Sequence, residues 1–227
     1  MLNEPCIKCL KPAPLCICEF LKPQANKRFV LILQHPQEPD KILGSAPLVT
    51  GILKNSFLRV ALSRPNLAAA LKDSGWSGHI DPKQWGVLYM GTGLTKPRAT
   101  DSPLYRYDAR KKALESMGDS KQLPMPSGLV ILDGTWSQAK ALWWRNPWLL
   151  KLQRLVLIPK RPSLYGTLRK EPKREALSSL EATAFALTAI GEPASTEAAL
   201  MEAFSGFVAK ARAAGVKKGM LPHTPPV

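Results

Sequence analysis

Cysteine is absent from this sequence after residue 18, histidine occurs only three times, and 17 acidic residues face 32 lysines and arginines. Each shortage excludes something. The four N-terminal cysteines have only one another as partners, so no disulfide framework can brace the rest of the chain. His35 stands near Glu38 in "HPQEPDK", but Pro36 and Pro39 make that segment a rigid loop, and His79 and His223 have no partner in sequence. Serine, histidine and aspartate form no recognisable nucleophilic set, and covalent catalysis is not expected. No run reaches the roughly 18 apolar residues of a membrane span. The opening "MLNEPCIKCLKPAPLCICEF" lacks the apolar core of a signal peptide. A cytoplasmic protein with no membrane partner is expected. There is no Walker A motif. The "GTG" at 91–93 has Lys96 where a dinucleotide fingerprint needs its third glycine. Nucleotide hydrolysis is therefore disfavoured.

What is present begins with charge. A net +15 over 227 residues suggests a polyanionic partner, nucleic acid before membrane, since solubility alone needs far less. No protein partner is evident. The length suits one α/β domain with a small appendage. That appendage is "CIKCLKPAPLCIC", where Cys6, Cys9, Cys16 and Cys18 follow the spacing C-x2-C-x6-C-x-C. Four thiolates at this spacing fit a closed tetrahedral Zn²⁺ site. An iron–sulfur cluster or a redox dithiol is the competing reading, but a redox C-x-x-C normally sits beside a βαβ pattern and this one precedes the first strand. With no open ligand position, the expected metal is structural.

The body of the chain alternates. Short apolar runs at 28–33, 57–62, 86–90, 128–133 and 155–158 read as strands buried on both faces. Helix-like stretches lie near 40–54, 65–74, 106–117 and 136–145, and two longer helices near 174–190 and 196–214. The expected fold is α/β, a mostly parallel sheet with helices on both faces. Boundaries are expected at a knuckle over 1–25, a main domain over 26–215 and a Pro-rich tail over 216–227.

Such sheets bind ligands beyond the carboxyl ends of their strands. At the exit of 128–132 the chain reads "DGTWSQAK". Thr135 and Gln138 form a capping box for the helix that follows, and Asp133-Gly134 is a good turn pair. An acid there could equally hold a ligand's amino group or accept a proton, and locally the two readings balance. Trp136, Ala139 and Trp143 share one helical face suited to core packing, while Lys140, Trp144 and Arg145 suit stacking and phosphate contact with RNA. Farther on, Lys160, Arg161, Arg169, Lys170, Lys173 and Arg174 gather against two acids, Glu171 and Glu175, which favours a phosphate path. Ser178 or Ser179 then caps the next helix, near any anion bound at its start.

Together these residues resemble the DTW-domain family, named for an Asp-x-Thr-Trp element, here Asp133, Thr135 and Trp136. Four features agree in order: the cysteine knuckle, His35-Pro36 with Glu38, the "LDGTWxxA" stretch through Ala139, and "SLYGTLRK…LSSLEA". The match spans roughly residues 6 to 205. Family members often read Asn-Thr-Ala where this chain has Gly44, Ser45 and Ala46, and its "LYMG" at 88–91 replaces a strand that more usually ends in proline. The resemblance implies a SPOUT-like α/β knot. It implies an enzyme moving the 3-amino-3-carboxypropyl group of S-adenosylmethionine onto the imino nitrogen of a tRNA uridine. On that resemblance Asp133 is the base or orients the donor's amino group. Leu132, Gly134, Thr135, Trp136, Tyr165, Ser178, Ser179 and Glu181 line the donor pocket, and the basic loops hold tRNA. An RNA methyltransferase using the same pocket, or a zinc-bearing RNA-binding module without catalysis, are the alternatives.

Overall fold

In the computed structural model, residues 5–39, 41–89, 103–117, 124–168 and 177–216 are described. The strands among them form a seven-stranded sheet in the order β2-β1-β6-β3-β7-β4-β5. Here β1 is Phe29–Gln34, β2 Ser56–Val60, β3 Trp85–Leu88, β4 Leu104–Asp108, β5 Ala113–Ser116, β6 Gly128–Asp133 and β7 Gln153–Leu157. From β2 across to β7 the strands run parallel, and β4 and β5 close one edge antiparallel. β1 is buried along its whole length and β6 nearly so. Both faces are covered there, which is why these segments read as unbroken apolar runs.

One face carries α1 (Ala46–Ile52), α4 (Ser179–Ala189) and α5 (Ala194–Ala213), packed through Leu180, Leu187, Phe204 and Phe207 onto Val30, Ile32, Leu129 and Ile131. The other carries α2 (Leu67–Leu71) and the turn at 147–151, packed onto Leu31, Leu33, Trp85 and Val130. α3 (Trp136–Arg145) follows β6. The cysteine segment leans on α5. At Gly206 a Cβ atom would fall 2.5 Å from the ring of Phe20, so the close approach requires glycine. Among the described residues no helix is long and apolar enough to cross a membrane.

One expected helix is not there. Residues 106–117 belong to the hairpin β4–β5. Tyr105 and Tyr107 point one way and Leu104 and Arg106 the other, a period of two. The Asp108 carboxylate then accepts the amides of Arg110 and Lys111, and Lys112 takes φ 51°, which reverses the chain. Helices α1 and α2 are shorter than the stretches 40–54 and 65–74 that suggested them.

Candidate active site and cysteine knuckle

β1 and β6 end side by side, with Gln34 paired to Asp133. Asp133 is buried, 6 % exposed. One carboxylate oxygen accepts the Gln34 side-chain amide at 2.8 Å and the other accepts the Ser179 hydroxyl. A residue that only closed a turn would point to water, whereas this one bridges two strand ends and the start of α4. Each oxygen has two lone pairs, so each retains capacity for one further donor. Gly134 follows because a Cβ there would fall 2.9 Å from that of Gln138. Thr135 then caps α3 with the box expected from sequence.

The start of α4 divides its two serines. Ser178 is the cap, exchanging bonds with Glu181, which leaves Ser179 free to reach Asp133. Glu181 also accepts the Ser163 hydroxyl at 2.6 Å and the Leu164 amide at 2.8 Å, tying the loop after β7 to the helix. Tyr165 of that loop is fully buried, set edge-on against Phe204 at 4.9 Å, and donates its hydroxyl to the Leu43 carbonyl. Asp133, Gly134, Thr135, Ser178, Ser179 and Glu181 therefore gather at one end of the sheet. Tyr165, Ser178 and Glu181 frame the site with polar atoms already engaged inside the protein. Leu132 is half-buried and turns to the opposite face, where Trp143 also packs. Trp136, half-buried, opens α3.

Sequence reasoning missed Lys11. Its side chain is buried and donates to the carbonyls of Ile42 at 2.8 Å and Gly44 at 2.5 Å, with its ammonium 4.9 Å from the Phe207 ring centroid. Burial lowers its pKa from 10.5 to about 8, against the neighbouring charges of Cys9 and Asp133, which raise it. Ser45 beside this loop accepts the Leu180 amide at 3.4 Å. The loop where this chain departs from the usual Asn-Thr-Ala is thus where the knuckle, Tyr165 and α4 meet. Nothing local in "KCLKPAP" marks Lys11 off from the chain's other lysines.

The four cysteine sulfurs lie within 4.8 Å of one another, and none of them is joined in a disulfide. Cys6 and Cys18 are 3.4 Å apart, Cys9 and Cys16 3.8 Å. Tetrahedral zinc with bonds near 2.3 Å separates its sulfurs by about 3.8 Å, so the donor set fits. The amides of Cys9 and Lys8, with the Cys18 thiol, lower the Cys6 pKa to about 6. The same contact, with burial, pushes Cys18 up to about 12. Lys210 pins the knuckle to α5 by donating to the Cys16 carbonyl at 2.5 Å and pairing with Glu19.

Of the basic residues singled out in sequence, Lys140 and Arg145 are exposed on α3 beside Trp144, which is 78 % exposed. Lys160 and Arg161 are exposed after β7, Arg161 lying over the Phe185 ring at 5.1 Å. Arg169, Lys170, Lys173 and Arg174 fall outside the described residues, as does 90–102 with its "GTG".

No solved structure matches the chain. Curated relatives do. It is 28 % identical over 194 residues to tRNA-uridine aminocarboxypropyltransferase 2 of Macaca fascicularis, covering 81 % of this chain and 55 % of the relative. The Mus musculus protein of that name matches to the same extent. That of Drosophila melanogaster is 30 % identical over 190 residues, covering 82 % of this chain and 66 % of its own length. The chain thus spans about half the length of the two mammalian proteins. The family model of the DTW domain matches residues 3–212, nearly all of the sequence including the knuckle, and the chain belongs to the DTW domain family.

Proposed function

We propose that this chain transfers the 3-amino-3-carboxypropyl group of S-adenosylmethionine to the ring imino nitrogen of a tRNA uridine. One observation carries the reading. A buried carboxylate, Asp133, is held by Gln34 and Ser179 at the joined exits of two central strands, beside the start of α4, in a chain of net charge +15. The names of the relatives support the same reaction.

In that reaction the imino nitrogen bonds to the aminocarboxypropyl carbon attached to sulfur. The carbon–sulfur bond breaks with its electron pair going to sulfur, methylthioadenosine leaves, and the imino proton departs to a base. An activated sulfonium donor mainly requires positioning and that base. Asp133 is best suited to accept the donor's amino group, because Gln34 and Ser179 aim both its oxygens and each has room for one more bond. The alternative role, proton acceptor for the uridine, uses the same oxygens. The amides of Ser178, Leu180 and Glu181 are already bonded to Glu181, Ser45 and Ser178, so it is the dipole of α4, not a row of open amides, that would favour the donor's carboxylate nearby. Gly134, Thr135 and Trp136 would complete one wall, with Tyr165 behind it, while Leu132, whose side chain turns to the other face of the sheet, would contribute only through its backbone.

Four further parts of the reading stand on the sequence patterns and the resemblance. Cys6, Cys9, Cys16 and Cys18 would hold a structural Zn²⁺. Lys140, Arg145, Lys160 and Arg161 would contact tRNA phosphates, with Arg169, Lys170, Lys173 and Arg174 on the same path. A knuckle over 1–25, a catalytic domain over 26–215 and a tail over 216–227 would divide the chain, working in the cytoplasm. A SPOUT-like threading rests on the resemblance alone.

Mass spectrometry of tRNA incubated with the protein and S-adenosylmethionine tests the reaction. An added aminocarboxypropyl mass on uridine is expected. An added methyl would make the chain a methyltransferase, and unchanged tRNA would leave an RNA-binding module.

A further inference from the structure

On the α3 side of the sheet lies a cluster that neither the caps nor the knuckle explains. Tyr89 continues β3, its amide bonded to the Leu155 carbonyl at 2.7 Å. It is two residues beyond Val87 and shares that residue's face. The Tyr89 ring stacks on Tyr107 of β4, with centroids 5.8 Å apart at 20°, and tilts against Trp143 of α3 at 4.9 Å. The guanidinium of Arg154, on β7, sits 6.0 Å from the Tyr107 ring centroid and 5.9 Å from that of Trp143. Four elements thus contribute three rings and one cation to a single patch.

Two features argue against ordinary packing. Tyr89 and Tyr107 belong to neither hydrophobic core, Trp143 only borders one, and all four side chains keep part of their surface in solvent. Moreover, among the described residues no carboxylate pairs with Arg154, whose contacts are the two rings. β7 is an interior strand of the sheet, and an arginine drawn toward a protein interior is normally paired. This one is kept charged and half-exposed between aromatic faces, with exposed Lys140, Trp144 and Arg145 on the neighbouring helix.

We infer that Tyr89, Tyr107, Trp143 and Arg154 form a stacking platform for an unpaired base of the RNA substrate, with Arg154 meeting its phosphate. The inference rests on the tRNA reading above and adds where the strand outside the reacting nucleotide is held. Rings offer a sequence-tolerant face and the guanidinium a phosphate partner. The excess of positive charge selects a polyanion over an apolar protein segment. The platform does not hold the reacting base. β3 lies one strand spacing, about 4.8 Å, from β6, but the Asp133 side chain turns to α4 while the platform is on the opposite face. A base stacked here would be a neighbour of the target.

The test uses the full-length protein and an unmodified tRNA transcript, with affinity measured across a salt series. Tyr107→Ala is expected to weaken binding roughly ten- to hundredfold, the worth of one stacked base, with the salt slope unchanged. Tyr107→Phe should bind like the parent. Arg154→Gln should weaken binding and lower the salt slope by about one charge. Parent-like affinity in Tyr107→Ala would overturn the platform, as would equal loss in Tyr107→Phe. Should Tyr107→Ala fail to fold, ultraviolet cross-linking of parent protein to the transcript decides. A cross-link mapped to Tyr89, Tyr107 or Trp143 supports the platform, and cross-links confined to other residues end it. Binding is read without turnover, so a parent that binds but transfers nothing sinks the reaction and leaves the platform standing. A parent that transfers normally beside an unaffected Tyr107→Ala does the reverse.

Discussion

Asp133→Asn separates two things that Asp133 does. The side chain is a structural acceptor for Gln34 and Ser179 and, in the proposed reaction, a negative charge facing the donor's ammonium. Asparagine keeps the shape and one acceptor oxygen. The Ser179 hydroxyl can rotate to accept from the new amide while Gln34 still donates to the remaining oxygen, so the local network survives with one weakened bond. The expected loss of stability is about 1 kcal/mol, a fall of roughly 2–4 °C in Tm for a chain of this size. The functional loss should be larger. A hydrogen bond to a charged group is worth about 1.5–3 kcal/mol, so donor affinity should fall roughly 10- to 150-fold. Transfer to tRNA should fall at least as far, with tRNA affinity unchanged. Asp133→Ala, in contrast, strands the buried Gln34 amide at about 1–3 kcal/mol and leaves the half-buried Ser179 hydroxyl without its acceptor, and it should melt below the asparagine variant. Calorimetric titration with S-adenosylmethionine and a transfer assay read the first effect, and thermal melts the second. If Asp133→Asn kept parental donor affinity and rate, the carboxylate would be a structural tie and nothing more.

Three other outcomes are expected. Lys11→Met removes the donor from two buried carbonyls while relieving a buried ammonium. The net should be about 1–3 kcal/mol, read as a lower Tm, with weakened donor binding and the metal retained; an unchanged melt would show that the contact does not organise the 42–45 loop. Native mass spectrometry should find one Zn²⁺ per chain, and its removal by a chelator should lower Tm and free Phe20 from its seat against Gly206 of α5; a chelator-treated protein with an unaltered melt would remove the structural role of the cysteines. Contact with about six phosphates should cost roughly a thousandfold in tRNA affinity between about 50 and 200 mM salt; a flat response would discard the nucleic-acid reading.

Much of the architecture can be read along the chain because its signals are local. The apolar runs at 28–33 and 128–133 are buried strands since both sheet faces are covered, and the boxes at Thr135–Gln138 and Ser178–Glu181 cap helices as their spacing implies. The hairpin at 104–116 was obscured by "ARKKALES", whose residues favour helix while the Asp108 turn and alternating tyrosines decide otherwise.

The sequence by itself determined a charged α/β chain with four clustered thiols and an acid at a strand exit, for each depends on composition or on spacing within a few residues. Only the tertiary structure decided that this acid is buried between two strand ends and α4 instead of turning to water, which serine caps α4 and which reaches Asp133, and that Lys11 belongs to the 42–45 loop. Those facts depend on contacts spanning 31, 46 and 99 residues. Partners so far apart meet only when strands pair and helices dock, and no pattern of local spacing records which two will meet.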